Sequence, residues 1–312
     1  MPEHEPVKLT LSISQIAPLI GLDNYNNFPR IVCEIWRKYN PVEFREYEST
    51  ILKECVGIKL VNSNDYNDIW DIDNVCGTNI LQQINTLNDN KAKSSYGMVQ
   101  SQNDIINYVN TQQNINSIQK TDLIKKICSI TNKTHGINNE DDIITEFCRI
   151  SDKTLKQEQG WVSIPLPATA TDNLIRWEII GKYDGITTDN ELIEAKMRQK
   201  GLFKTMRDYE TVQVQLYLHG LGFTQGYLVE NFTNKKNEKQ LFIHEIQYDA
   251  EYVNEVLLMR ITRFTQFFEY IMNNDNINKK TILTNLLKGD DNKRTIYNDY
   301  LVKYLDIGII SF

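Results

Sequence analysis

The stretch that most constrains this chain runs from Asn173 to Gly220. Leu174 to Asp184 alternates: Ile175, Trp177, Ile179 and Tyr183 fall on one side, Arg176, Glu178, Lys182 and Asp184 on the other. A period of two with one wet side is the pattern of a strand covered on one face. Gly185 to Asn190 supplies turn chemistry. Glu191 to Met197 is strand-like again and puts Leu192, Glu194 and Lys196 on one face. Folded as a hairpin, the two strands bring Asp184 next to Glu194 and Lys196.

Two carboxylates and a lysine at one point suit magnesium-assisted hydrolysis. Magnesium takes oxygen ligands, usually one or two carboxylates completed by substrate phosphate. An ammonium cannot ligate a metal, so Lys196 would hold or activate a water and neutralise charge on a phosphate. An ordinary amphipathic hairpin with solvated Asp, Glu and Lys carries the same D-x9-E-x-K spacing, and spacing alone leaves both readings open.

The next segment, Asp208–Gly220, has helical periodicity. Tyr209, Gln213, Tyr217 and Gly220 share a face with Val212 and Leu216 beside them. Gln213 within that apolar face implies polar partners nearby, unless it is half exposed. Upstream, Glu140 shares a helix face with Ile137, Ile144 and Phe147. A carboxylate aimed with an apolar stripe is paired or metal-bound. The alternative is a first-turn glutamate favoured by the helix dipole.

Four motifs stand in a known order: G-x-x-x-E at Gly136–Glu140, D-G at Asp184–Gly185, E-A-K at Glu194–Lys196, and Q-V-Q-x-Y at Gln213–Tyr217. Together they resemble the PD-(D/E)xK nucleases, and more closely the YqaJ group of lambda-exonuclease-like viral recombinases. Tyr183 stands where that pattern usually has proline. The opening LTLSISQIAPLIGLDNYNNFPRIVCEIWRK resembles the start of YqaJ-type proteins. The resemblance covers about residues 9–40 and 134–272.

It implies a restriction-endonuclease-like α/β fold, a central mixed sheet flanked by helices. It implies a magnesium-dependent deoxyribonuclease, most simply a 5′–3′ exonuclease on double-stranded DNA ends. Such an enzyme would serve recombination, repair or replication and be virus- or phage-encoded. Asp184, Glu194 and the carbonyl of Ala195 would bind a first magnesium ion, Glu140 with Asp184 a second, and manganese could substitute. Lys196 would activate the water and Gln213 would fix it or the lysine. Ser14 would help hold a terminal phosphate, or act as a helix cap only. A single-strand annealing partner and a ring trimer follow from the resemblance alone. Two alternatives stay open: a RecB-like or restriction-type endonuclease, and an inactive DNA-binding module on the same fold.

Charge bounds how DNA would be held. With 34 Lys and Arg against 41 Asp and Glu, the net charge is −7, so DNA contact must come from local patches. The densest is KMRQKGLFKTMR, where Arg198, Lys200, Lys204 and Arg207 follow Lys196. A backbone track and a solvated face are both consistent with it. Lys182 and Arg30 are further candidates for phosphate contact. The five cysteines, Cys33, Cys55, Cys76, Cys128 and Cys148, include no C-x-x-C pair. That argues against a zinc ribbon or iron–sulfur cluster and fits a reducing compartment. No stretch approaches the roughly 18–20 apolar residues of a membrane span, so the expectation is a soluble, intracellular protein, in host cytoplasm or nucleus if viral.

Four parts are expected along the chain. Residues 1–40 open with a loose leader to residue 8, then a helix capped by Ser12 or Ser14 with Pro18 in its first turn, then a helix from Phe28 to Tyr39. Residues 41–133, Asn-rich and weakly periodic over 60–120, form an insertion of short helices and loops. Residues 134–273 hold the nuclease core, with paired strands at Gln225–Thr233 and Gln240–Tyr248 and a long helix from Glu251 to Asn273. Residues 274–312 form a tail with one short helix and an apolar end, Gly308–Phe312, that would cover a hydrophobic groove.

Overall fold

The computed structural model describes residues 6–23, 28–54, 65–89, 94–167, 175–236, 238–273, 278–287 and 300, and the apolar C-terminal end lies outside them. The expected hairpin forms. β3 (Ile175–Thr187) and β4 (Leu192–Arg198) pair antiparallel across a turn that holds Asn190 at φ 61°, a conformation asparagine tolerates better than most residues.

β3 organises the sheet. β2 (Leu155–Pro165) runs antiparallel along one of its edges. The other edge is divided. β1 (Val7–Ser12) pairs in parallel with Ile175 to Ile180, and β4 takes only Gly185 and Ile186. From there β4 runs parallel to β5 (Gln225–Thr233), and β6 (Lys239–Gln247) follows antiparallel. The fold is therefore α/β with a mixed six-stranded sheet among the described residues. β1 corrects the expected loose leader. Leu9 and Leu11, at 2% and 0% exposure, are the period-two signal within Val7–Ser12.

A parallel pair needs a crossover, and α8 (Asp208–Leu221) supplies it between β4 and β5. It lies close over β2: a Cβ on Gly220 would come 2.3 Å from Val162 Cγ2. Glycine is thus required there by close approach.

The faces of β4 divide the packing. Ile193 and Ala195 meet Ile143, Ile144 and Phe147 of α7 (Ser117–Ser151), together with Tyr227 and Val229. Leu192 joins the main core with α1 (Ile13–Leu19), α2 (Phe28–Tyr39), α3 (Pro41–Glu54), α8, α9 (Met259–Asn273) and α10 (Lys279–Leu287). Trp36, Phe44, Phe264 and Phe268 are fully buried there, each worth about 1.5–3 kcal/mol by transfer from water. Tyr300 stacks on Phe28 with centroids 4.7 Å apart and donates to the Leu19 carbonyl at 2.8 Å.

Several boundaries differ from expectation. Ser12 caps α1, its N–H reaching Gln15 Oε1 at 3.3 Å, and Pro18 falls beyond the first turn. The long C-terminal helix begins as a π-helical stretch, Tyr252–Leu258, before α9. Residues 41–133 divide between two cores. α3 joins the main one. α4 (Asp65–Cys76), α5 (Ile80–Asn88) and α6 (Ser95–Thr111) pack against Leu123, Ile127 and Ile130 of α7 in a second. α7 is one helix of 35 residues, capped by Asn116 and Gln119, so the 133/134 boundary falls inside it.

Candidate active site

The site arises where β3 and β4 part. Their Cα pairing stops after Gly185↔Ile193 and Ile186↔Leu192. At the next position the Ala195 N–H donates to Asp184 Oδ2 at 2.8 Å, a side chain taking a bond that a ladder carbonyl would otherwise accept. Strand separation thus opens a gap, and Asp184 and Glu194 stand at its mouth.

Glu194 is 2% exposed. Its Oε1 accepts from Lys196 Nζ at 2.6 Å and from Gln213 Nε2 at 2.8 Å. Its Oε2 is buried without a hydrogen-bond partner among the described residues. Burial pushes this carboxyl up to about 8, with Asp184 adding to the effect and Lys196 opposing it. Burial also raises Asp184, against the pull of Lys196 and the Ala195 amide. For Lys196, burial acts to lower the ammonium, but Glu194 and Asp184 outweigh it and hold it above its ordinary range.

Gln213 ties this group to α8. Its Oε1 accepts from Lys196 Nζ at 3.3 Å, and its Nε2 lies 3.4 Å from the Tyr217 hydroxyl. That hydroxyl donates to the Lys182 carbonyl at 2.6 Å, anchoring β3.

Glu140 reaches the same site from α7. Burial, then the charge of Asp184, raise its carboxyl to about 7. It lies far from either helix end, which rules out the first-turn reading. Ile144 and Phe147 of its predicted stripe are buried, while Ile137 is 52% exposed. Gln159 on β2 links Glu140 to β3: its Nε2 donates to Glu140 Oε2 at 3.1 Å, and its Oε1 accepts from Lys182 Nζ. Gln159 carries no signal in the sequence, because it sits in a polar run without periodicity.

Among the described residues no three His, Cys, Asp or Glu side chains are grouped as a ready metal cage. The donor set nonetheless suits a hard cation. An unpartnered buried carboxylate oxygen, beside a second carboxylate that raises its proton affinity, is a pair that a divalent ion would relieve.

The basic run divides. Lys200, Lys204 and Arg207 are exposed, but Arg198 is not available to phosphate, which corrects its assignment to DNA contact. Its guanidinium is buried between Glu230 and Glu210, with Nε 3.1 Å from Glu230 Oε1 and Nη2 2.8 Å from Glu210 Oε1. The remaining oxygens hold the loop. Glu230 Oε2 accepts from the amides of Phe203 and Lys204 at 2.8 and 3.1 Å, and Glu210 Oε2 from that of Arg207 at 3.2 Å. Lys204 is held at φ 58°, and Arg198 and Arg207 lie 4.1 and 4.2 Å from the Phe203 ring centre. Sequence reading missed both glutamates. Glu230 was detectable as a carboxylate in the apolar run YLVENF.

No known family model matches the chain, and none of the curated proteins does. Solved structures show weak likeness. An alkaline exonuclease, LHK-Exo from Laribacter hongkongensis, aligns at 14% identity and TM-score 0.35 over 55% of this chain and 81% of that one. The same exonuclease in complex with dAMP aligns at 13% and 0.35, over 54% and 89%. SSO0001 aligns at 16% and 0.33, over 50% and 67%.

The N-terminal candidates sit apart from this network in their bonding. Ser14 is exposed, with its hydroxyl 2.9 Å from that of Ser12. Arg30 bridges to Glu34 at 2.8 Å on α2, and Gln15 of α1 donates to the same carboxylate at 3.0 Å. Lys182 remains exposed at the rim.

Proposed function

We propose that this chain is a magnesium-dependent deoxyribonuclease that hydrolyses double-stranded DNA from its ends, 5′ to 3′. The observation that carries the reading is the convergence of Asp184, Glu194, Lys196 and Gln213 where β3 and β4 part.

Asp184, Glu194 and the Ala195 carbonyl would hold one ion, and Glu140 with Asp184 a second, with manganese able to substitute. A bound ion lowers the pKa of water and neutralises charge on the phosphate and leaving oxygen. The chain's own groups do the positioning. Lys196 is an ammonium clasped by Glu194 and Gln213. It therefore donates a hydrogen bond to water or a phosphate oxygen and stabilises developing charge, while the proton released by the attacking water would pass to solvent. Gln213 fixes the rotamer of both charged partners. The exposed Lys182, Lys200, Lys204 and Arg207, with Arg30, would hold backbone phosphate, and Ser14 would hold the terminal phosphate. A role in recombination, repair or replication, viral origin, a single-strand annealing partner and a ring trimer rest on the sequence resemblance alone.

The test is degradation of end-labelled linear duplex, with and without a 5′ phosphate, in magnesium, manganese or chelator, beside closed circular DNA. Loss of the linear substrate alone, dependent on metal, is expected. Nicking of the circle would make the protein an endonuclease, and inertness in both metals would overturn the reading.

A further inference from the structure

We infer that Trp161 is a stacking platform for the end base of the DNA substrate. This rests on the nuclease reading and deepens it, since it names the feature of the substrate that this rim recognises.

The chain has four tryptophans. Trp36 and Trp177 are packing residues, 0% and 4% exposed, and Trp177 also donates to Glu269 at 2.7 Å. Trp70 is exposed on α4, within the helical lobe. Trp161 shares its exposure with Trp70 but lies on the sheet that carries the site. It is 70% exposed on β2 and belongs to none of the three hydrophobic cores. Its neighbours Val162 and Ile164 alternate inward, and Gly160 accommodates the Tyr183 ring beneath the strand. The strand is thus anchored by one face and holds the indole out on the other.

That outward face belongs to the site. Trp161 stands directly opposite Lys182 in the antiparallel register. Such pairs have Cβ atoms about 4.5–5.5 Å apart. Gln159, one strand step away at about 6.8 Å, is the residue that joins Lys182 to Glu140. A flat π-surface therefore lies beside a cation and one residue from a carboxylate of the site. This pairing of an aromatic face with a phosphate-holding charge recurs where nucleic acid is gripped without regard to sequence.

Duplex geometry selects the occupant. Inside a duplex each base is covered on both faces by its neighbours. Only the last base presents a free face. An indole at the rim therefore rewards an end and gains nothing from duplex interior.

The experiment is a binding cycle by fluorescence anisotropy in calcium, using labelled duplexes that carry either a normal or an abasic terminal nucleotide. Trp161→Ala is expected to weaken binding of the normal duplex by roughly 5- to 150-fold, the range that ~1–3 kcal/mol of stacking per base represents. Trp161→Phe should recover most of that. The abasic terminus should weaken wild-type binding to a similar degree and leave Trp161→Ala unaffected. If the abasic penalty is the same in wild type and Trp161→Ala, the inference is overturned. Parallel degradation assays in magnesium keep the two claims apart. Wild type that cleaves DNA but shows no coupling in the cycle loses only the stacking role. Wild type that neither binds nor cleaves removes the nuclease reading and the stacking role together.

Discussion

Glu194 carries the sharpest imbalance at the level of single residues: one oxygen accepts two hydrogen bonds and the other is buried with no partner among the described residues. Lys196 balances it only in part, so the two should be separable by mutation. Lys196→Ala is expected to lower cleavage by roughly 10²–10³-fold with DNA binding nearly intact, checked by single-turnover cleavage against anisotropy. Retention of more than about a tenth of wild-type rate would remove Lys196 from catalysis. Glu140 gives a stability readout. Because its carboxyl is raised to about 7, the folded state binds that proton more tightly than the unfolded chain, and stability falls as pH climbs from the ordinary carboxylate range to about 7. In chelator at pH 8, Glu140→Gln should melt higher, at about 2–4 °C per kcal/mol relieved, and calorimetry there and in the ordinary carboxylate range, at about pH 5, would show whether the pH dependence flattens. Asp184, Glu194, Lys196 and Gln213 were legible because strand and helix periods fix which side chains can meet. Arg198 was misread because charge in a sequence does not say whether carboxylates from α8 and β5 await it. Gln159 was invisible because polar strand residues look alike until their register is known.

Elements were read better than their edges. The β3–β4 hairpin, α2, α8 and β5 sit where period and turn residues put them, while β1 and β2 were missed and α7 was divided by the expected 133/134 boundary. Gly136 inside the helix weakens it, but packing at both ends of α7 overrides that cost. Gly136→Ala is accordingly expected to stabilise the protein by about 0.5–1 kcal/mol, since a Cβ there meets nothing within 4 Å. A drop in denaturation midpoint would contradict this. The 199–207 loop depends instead on distant carboxylates. Glu230→Gln takes charge from a buried partner of Arg198 and weakens the acceptor for two loop amides. It should cost stability on the order of 3 kcal/mol, as breaking a buried ion pair does. It should also weaken DNA binding, and urea titration beside anisotropy would read both.

For the whole molecule, a net charge of −7 would repel DNA at a distance, so the proposed substrate would have to be captured locally. Replacing Lys200, Lys204 and Arg207 together by Ala should weaken binding at any sequence and flatten the log–log salt dependence by about 0.9 for each phosphate no longer neutralised. A slope equal to wild type would show these three to be merely solvated. The other global feature is α7, which at 1.5 Å per residue is about 52 Å long. Its two halves are gripped by different cores, ending at Ile130 and beginning again at Ile143, with Gly136 midway and Glu140 just beyond. Mechanically it is a shaft clamped at both ends. The α4–α6 lobe grips one end and the sheet the other, so a twist of the lobe would be carried along the span that bears Glu140, Asp141 and Asp142.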